Sequence, residues 1–251
     1  MILTIDIGNT TIALGPVRKG KVLRLDRIET EAEPHAMATV MSKLFNVYTR
    51  NGYKFKSAII SSVVPEVTGR VERITQKYAN LDTIVVGKDI KVPLKNHYKN
   101  PKQVGQDRLV GAYAAAQLYG KPLIVIDLGT AITFDVVSAK GEYKGGAIVP
   151  GIRLSAESLF LKTALLPKID IKAPRSVVGR TTEESILSGL FYGYGSLCQG
   201  FIELISKELK AKPKVVMTGG HTQLMKKFVS PKVRIIDEHL VHKGLALLAA
   251  K

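Results

Sequence analysis

Two carboxylates carry the first chemical signal in this chain. Asp6 closes the apolar run Ile2-Leu3-Thr4-Ile5 and is followed by Ile7-Gly8-Asn9-Thr10-Thr11; Asp127 closes Leu123-Ile124-Val125-Ile126 and is followed by Leu128-Gly129-Thr130-Ala131. An acid at a strand end, then glycine and hydroxyl residues, suits a metal-bound nucleotide. The carboxylate holds Mg²⁺ directly or through water, and the N–H groups and hydroxyls behind it face phosphate oxygens. One such Asp-x-Gly is an ordinary turn. Two of them, half a chain apart, describe a pair of hairpins able to clamp one triphosphate. Asp135, further along the second copy, reads either as part of this motif or as a surface or turn acid.

A third carboxylate stands in a different setting. In Asn100-Pro101-Lys102-Gln103-Val104-Gly105-Gln106-Asp107-Arg108-Leu109 the Asn-Pro pair is a turn, and Gly105 precedes a helix expected to run to Tyr119. Asp107 and Arg108 then lie in its first turn. Asp107 either complements the helix macrodipole or, kept ionised by it, accepts a hydrogen bond from a substrate hydroxyl. Arg108 is less favourable there, and bidentate binding of a carboxylate would account for it. Thr181-Thr182-Glu183-Glu184 has the form of a capping box, with Thr181 as N-cap and Glu184 at N3, which leaves the Thr182 hydroxyl over for a ligand. Met217-Thr218-Gly219-Gly220-His221 places a glycine pair after a strand, either as a plain turn or as a bed for a flat adenine.

Other chemistries lack their parts. There is no Gly-x-x-x-x-Gly-Lys-Ser/Thr loop, no Gly-x-Gly-x-x-Gly and no His-Glu-x-x-His. His239 and His242 read as a helix surface rather than a metal site. Cys198 is the only cysteine, so no intrachain disulfide or thiolate cluster can form; it reads as a small buried residue in a reducing compartment.

The elements that must position these groups follow from the apolar pattern. Aligning Asp6 with Asp127 also aligns Lys19-Gly20 with Lys140-Gly141, a hairpin turn in each copy. Each half should open with a strand into Asp-x-Gly, a second strand (Thr11–Val17; Ile132–Ser138), a turn and a third strand. Further strands are expected at Ser57–Val64, Thr83–Val86, Lys214–Thr218 and Val233–Ile236. Helices are expected at Thr68–Tyr78, Gln106–Tyr119 and, closing the second half, Gly244–Ala250. Mixed-sheet α/β lobes follow, spanning 1–118 and 119–251, with the boundary in the helix Gln106–Tyr119 or at Gly120-Lys121-Pro122. Ser185, Gly189, Gly193, Ser196 and Gly200 fall on one helical stripe, so either this face meets another helix or subunit, or the glycines split the helix.

With 251 residues, 45% of them hydrophobic, the chain can bury a sizeable core. No run is long enough to span a bilayer and Met1 leads straight into an apolar strand, so a cytoplasmic protein without a membrane partner is expected. The net charge of +16 is spread over scattered lysines, without zinc-finger spacing, an aromatic RNA-binding signature or an arginine-rich arm. That argues against nucleic acid as the main partner. The densest basic stretch, Lys88 to Lys102, is either a solvated loop or one that attracts anionic substrates.

The two Asp-x-Gly hairpins resemble the phosphate-binding motifs of the acetate-kinase, sugar-kinase, Hsp70 and actin superfamily. The wider set resembles type III pantothenate kinase: Asp6 to Thr10, Asn100-Pro101 with Gly105 to Arg108, Asp127 to Ala131, Gly145-Gly146 followed by Pro150-Gly151, and Thr182 before Ile186. The resemblance implies two ribonuclease H-like lobes with an ATP cleft between them, and phosphorylation of pantothenate by ATP. It implies that Asp6, Ile7, Gly8, Asn9, Thr10, Thr11, Ile12 and Ala13 line the ATP phosphates together with Thr130, and that Asp107 is the base. Tyr98, Gly105, Gln106, Asp107, Arg108 and Thr182 would hold pantothenate. Asp127 would ligate a monovalent cation, K⁺ or NH₄⁺; Asp6 would serve the Mg²⁺ that accompanies ATP; and the protein would be a homodimer. Gln106 and Gly111 depart from the Ala and Asn usual in the family. The alternatives are a kinase of the same superfamily acting on a sugar or N-acetylated sugar, or a non-enzymatic regulator that binds nucleotide or nucleic acid.

Overall fold

The structure, a computed structural model, describes residues 1–229 and 233–250. In chain order its first elements are β1 (Ile2–Ile7), β2 (Thr11–Arg18), β3 (Lys21–Val22), β4 (Asp26–Glu29), α1 (Pro34–Arg50), β5 (Ser57–Ser62), α2 (Pro65–Ala79), β6 (Thr83–Val85) and α3 (Gln106–Tyr119). Then come β7 (Leu123–Leu128), β8 (Ala131–Val137), β9 (Tyr143–Pro150), α4 (Ile152–Lys162), α5 (Thr182–Ser188), α6 (Tyr194–Glu208), β10 (Lys214–Thr218), α7 (Thr222–Met225), β11 (Ile235–Ile236) and α8 (Leu240–Ala249). They form two units: Met1–Leu94 with Lys99–Ala114 and the chain from His239, and Lys95–Tyr98 with Ala115–Glu238.

In the first unit the sheet order is β3-β2-β1-β5-β6, with β4 also pairing with β2. The alternation of strand side chains separates two cores. Leu3, Ile5 and Ile7 meet Met37, Met41 and Phe45 of α1 and Val67, Val71 and Ile74 of α2 on one face. On the other, Ile59 meets Val110 and Tyr113 of α3 and Leu245 and Leu248 of α8. Lys19 and Gly20 close β2 onto β3 with φ of 50° and 75°, the left-handed pair of a type I′ hairpin.

The second unit repeats the plan, with the order β11-β10-β7-β8-β9. An antiparallel hairpin is flanked by a strand parallel to its first member in both units: β1–β2 beside β5, and β7–β8 beside β10. Ile124, Ile126, Leu128 and Phe134 pack against Phe191, Cys198 and Ile202. Burial pushes the Cys198 thiol up to about 12, so it is a protonated core residue.

Several elements differ from expectation. α1 and α4 are additions. α8 packs in the first unit rather than closing the second half: a Cβ on Gly244 would meet Val110 and Ala114 of α3 at 2.7–3.0 Å, so the missing side chain permits this helix contact. Asp135 is neither a surface nor a turn acid. It is 2% exposed on β8, where Tyr143 donates to its Oδ1 (2.7 Å) and Thr133 to its Oδ2 (3.0 Å). The glycine stripe does not split its helix: Gly189–Gly193 is a π-helical turn in right-handed backbone joining α5 to α6.

His242 is buried, not on a helix surface. The Thr4 hydroxyl donates to Gly15 O (2.7 Å) and therefore accepts from His242 Nδ1–H (2.8 Å). Burial first, then the nearby His239 and Arg27, hold the ring down to about 3, against an ordinary value of 6.5. Between those values the unfolded chain binds a proton that the folded one refuses. Stability is therefore whole above pH 6.5 and falls as pH drops toward 3, by up to about 1.4 kcal/mol per pH unit from this group. Removing the titrating ring in His242→Gln should flatten the acid limb of a melting-temperature-versus-pH curve; an unchanged slope would exclude His242 as its source.

Candidate active site

The repeat places the same chemistry at the end of each hairpin. Asp6 pairs in register with Ala13 on β2 and with Ser61 on β5; Asp127 pairs with Thr133 on β8 and with Thr218 on β10. A buried hydroxyl residue thus stands beside each aspartate on the parallel strand. The Ser61 hydroxyl has no hydrogen-bond partner among the described residues. These partners were missed in the sequence, although Ser61-Ser62 and Thr218 end corresponding strands.

In the first unit the turn after Asp6 is held from both sides. Gly8 N–H donates to Thr11 O (3.0 Å), Thr30 Oγ1–H to Gly8 O (2.7 Å) and Thr30 N–H to Thr10 O (3.0 Å). Asn9, Thr10 and Thr11 remain exposed, while Ile7, Ile12 and Ala13 are buried. The turn therefore offers hydroxyl and amide groups on a fixed frame.

Val63 links this turn to the start of α3. Its N–H donates to Ile7 O (3.0 Å), and its Cγ1 lies 3.2 Å from where a Cβ on Gly105 would stand. A Cβ there would also collide with Asp107 Oδ1, so glycine lets the carboxylate fold back over the helix start, where it accepts from Arg108 N–H (2.8 Å). The structure thus joins Asp6–Ala13 to Gly105–Arg108. Gln106 turns its amide onto Gly87, where φ is +90° and a Cβ would lie 2.9 Å from the amide carbon. Gly111 faces α8, with Val241 Cγ2 at 3.9 Å from its Cβ position.

In the second unit Gly129 N–H donates to Ala131 O (3.1 Å), closing the turn that carries Thr130. Gly151, which caps α4, is packed onto it: its N–H donates to Thr130 O (2.9 Å), and a Cβ would strike the Thr130 and Gly129 carbonyls. Arg153 follows in the first turn of α4. Gly219 closes the other side with φ +97°, its backbone against Asp127 Oδ1, and His221 N–H donates to Leu128 O (3.0 Å). Burial, then the Arg153 guanidinium, hold the His221 imidazole below its usual range against the opposing pull of the Leu128 and Gly129 backbone. Asp127, Thr130, Gly219 and His221 thus form one cluster.

Tyr98 and Thr182 also belong to the second unit. Thr181 Oγ1 accepts from Glu184 N–H (3.2 Å), the capping bond expected, but Glu184 Oε2 accepts from Arg180 N–H (2.8 Å), one residue before the N-cap. Thr182 is exposed beyond these bonds. Among the described residues no group of three or more His, Cys, Asp and Glu could hold a metal, and no helix is long and apolar enough to cross a membrane. Single carboxylates on separate turns suit a cation whose other ligands are phosphate oxygens and water, as with Mg²⁺ on a nucleotide, rather than an all-protein cage.

A sequence model of the Type III pantothenate kinase family matches residues 2–204. A type III pantothenate kinase from Persephonella marina is 47% identical over 250 residues, covering 98% of this chain and 96% of that protein. Among solved structures, a conserved putative Baf family transcriptional activator from Campylobacter jejuni superposes with TM-score 0.60 at 19% identity, covering 99% and 97% of the two chains. A ROK family glucokinase from Streptomyces griseus, in complex with glucose and AMPPNP, gives 0.54 at 11%, covering 99% and 100%. The structural likenesses show the ribonuclease H-like fold; the near-full-length identity shows the family. The chain belongs to the type III pantothenate kinase family.

Proposed function

We propose that this protein transfers the γ-phosphoryl group of ATP to the hydroxyl of pantothenate, releasing ADP and 4′-phosphopantothenate, the first step toward coenzyme A. The observation that carries this reading is the family membership over nearly the whole chain. The pinned, acid-tipped hairpin in each unit and the carboxylate folded over a helix start beside the first of them support it.

Residues Asp6 to Ala13 and Thr130 bind the ATP phosphates in this reading. Asp107 accepts the proton of the pantothenate hydroxyl as that oxygen attacks phosphorus and the bond to ADP breaks. Tyr98, Gly105, Gln106, Arg108 and Thr182 hold pantothenate, Arg108 being suited to its carboxylate. Asp6 serves Mg²⁺ and Asp127 a monovalent cation, K⁺ or NH₄⁺; Gly129 and Gly219, lacking a Cβ, let backbone come close to the Asp127 carboxylate. When bound, these cations supply positive charge to the triphosphate, which phosphoryl transfer needs more than covalent help from the protein.

A cytoplasmic setting suits ATP use and the single reduced thiol. A homodimer is supported by Leu154, Phe160, Leu161, Leu165, Val177 and Val178, which expose apolar surface on α4 and the chain after it. Positions Gly189, Gly193 and Gly200, at which an added Cβ would meet nothing within 4 Å, are open in the same way. Sedimentation velocity reads the oligomeric state directly.

The activity is tested by ADP release from purified protein with ATP and Mg²⁺. Release should require pantothenate and rise on adding K⁺. Release driven instead by a hexose or N-acetylhexosamine, with pantothenate inert, would replace this reading with the sugar-kinase one.

A further inference from the structure

Between Leu94 and Lys99 four residues, Lys95–Tyr98, leave the first unit and join the second. They lie along β9, the edge of its sheet. Tyr143 N–H donates to Lys95 O (2.9 Å) and His97 N–H to Tyr143 O (3.0 Å), a parallel bridge centred on Asn96 and Tyr143. Asn96 Oδ1 then accepts from Tyr98 N–H (2.9 Å) and turns the chain. The Tyr98 ring comes to rest on Gly145, whose φ is +107°; a Cβ there would lie 3.3 Å from Tyr98 Cε2. The phenol is half-buried, and its hydroxyl makes no hydrogen bond among the described residues.

Two backbone bonds on an open edge leave register weakly specified. A charged clamp supplies what they lack. In an extended segment Lys95 and His97 project to one side, and Asn96 and Tyr98 to the other. Glu142, the residue before β9, reaches both members of the first pair: Oε1 to Lys95 Nζ at 3.3 Å and Oε2 to His97 Nε2 at 3.2 Å, with Lys144 Nζ at 3.9 Å from Oε2. Glu142 is itself fixed by the turn, its N–H donating to Ser138 Oγ (3.2 Å) and its carbonyl accepting from Ser138 N–H (2.9 Å). Lys95 first, and His97 with it, hold the carboxyl below the usual range, so it stays charged.

We infer that Glu142, acting through Lys95 and His97, is the latch that sets the register of this segment and so places the Tyr98 phenol for pantothenate. Glu142 and His97 are positioning residues that touch no reacting atom. The inference rests on the reading of Tyr98 as a pantothenate contact, and a double-mutant cycle separates the two.

Loss of a few partly exposed ion pairs is worth about three- to tenfold in an equilibrium. Glu142→Gln should therefore raise KM for pantothenate by about that factor, with kcat and KM for ATP within about twofold and an unchanged melting temperature. His97→Gln, which keeps an N–H donor, should recover most of what His97→Ala loses. Tyr98→Ala should raise KM for pantothenate at least as much, and Glu142→Gln added to it should change nothing more. If Tyr98→Ala leaves KM for pantothenate alone, the Tyr98 reading fails and the latch with it. If Tyr98→Ala acts but Glu142→Gln does not, or the two effects multiply, Tyr98 stands and the latch is overturned.

Discussion

Asp107→Asn should lower kcat by about 10²- to 10⁴-fold, the usual worth of a general base, while ATP and ADP bind as before. Asparagine keeps the size of the side chain and an oxygen able to accept from Arg108 N–H, the bond that orients Asp107 at 2.8 Å. It also fits under Gly105, where a Cβ would collide with this side chain. What it loses is the capacity to take a proton. The ATP assignments lie on the β1–β2 hairpin and at Thr130, so nucleotide affinity should hold within about twofold, the size expected where no contact is removed. KM for pantothenate should change little, because the hydrogen bond to the substrate hydroxyl is retained in part. Phosphoryl transfer through a loose transition state asks less of a base than acyl transfer does, which favours the lower half of the range. Turnover near that of the parent would exclude Asp107 as base; equal loss of ATP binding would point to a collapsed helix start.

The hairpins were legible because a buried strand and its turn are written locally. The Asp-x-Gly repeat and the two Lys-Gly turns needed only short stretches of chain, and strand β10 and helix α3 have the bounds read from the residues. Helix α4 was hard to read because its apolar residues do not keep to one side: Leu154, Phe160 and Leu161 are exposed while Ile152 and Ala156 are buried. Helix α1 does carry a readable stripe, Met37, Met41, Phe45 and Tyr48, behind Pro34.

What stayed hidden is what depends on partners far apart in sequence. Asp135 reads as polar, yet its burial is supported by a hydrogen bond from Tyr143 on the next strand, which local sequence does not show. In the Lys88–Lys102 stretch the lysines named here are exposed, but their ion-pair partners, Glu72 for Lys88 (3.5 Å) and Glu142 for Lys95 (3.3 Å), lie far off in sequence. His242 has its polar partner on β1, at the other end of the chain. Position in sequence suggested that α8 closes the second half, but the glycine that lets it approach α3 places it in the first unit.

Two neighbouring glycines should answer the same substitution in opposite ways. Gly219 has φ +97°, where an L residue is strained, and its Cβ would run into the Asp127 carboxylate and lie 2.6 Å from Leu128 N and 2.7 Å from Leu128 C. Those are strand backbone atoms in the middle of a sheet, so relief must come from moving the end of β10 or the Asp127 side chain. Strain at such a position costs about 1–3 kcal/mol before any contact is counted. The displaced carboxylate should cost activity as well. If Asp127 holds a monovalent cation, Gly219→Ala should weaken K⁺ activation along with stability, and kcat/KM for ATP should fall by about a hundredfold, the loss of roughly 2.7 kcal/mol of binding to the charged nucleotide. Gly220 has no positive φ, and a Cβ there would meet nothing within 4 Å. Gly220→Ala should leave stability and K⁺ activation as they are, unless adenine lies against that backbone, in which case KM for ATP alone rises. A Gly219→Ala protein with full K⁺ response would show that the Asp127 carboxylate does not serve the cation.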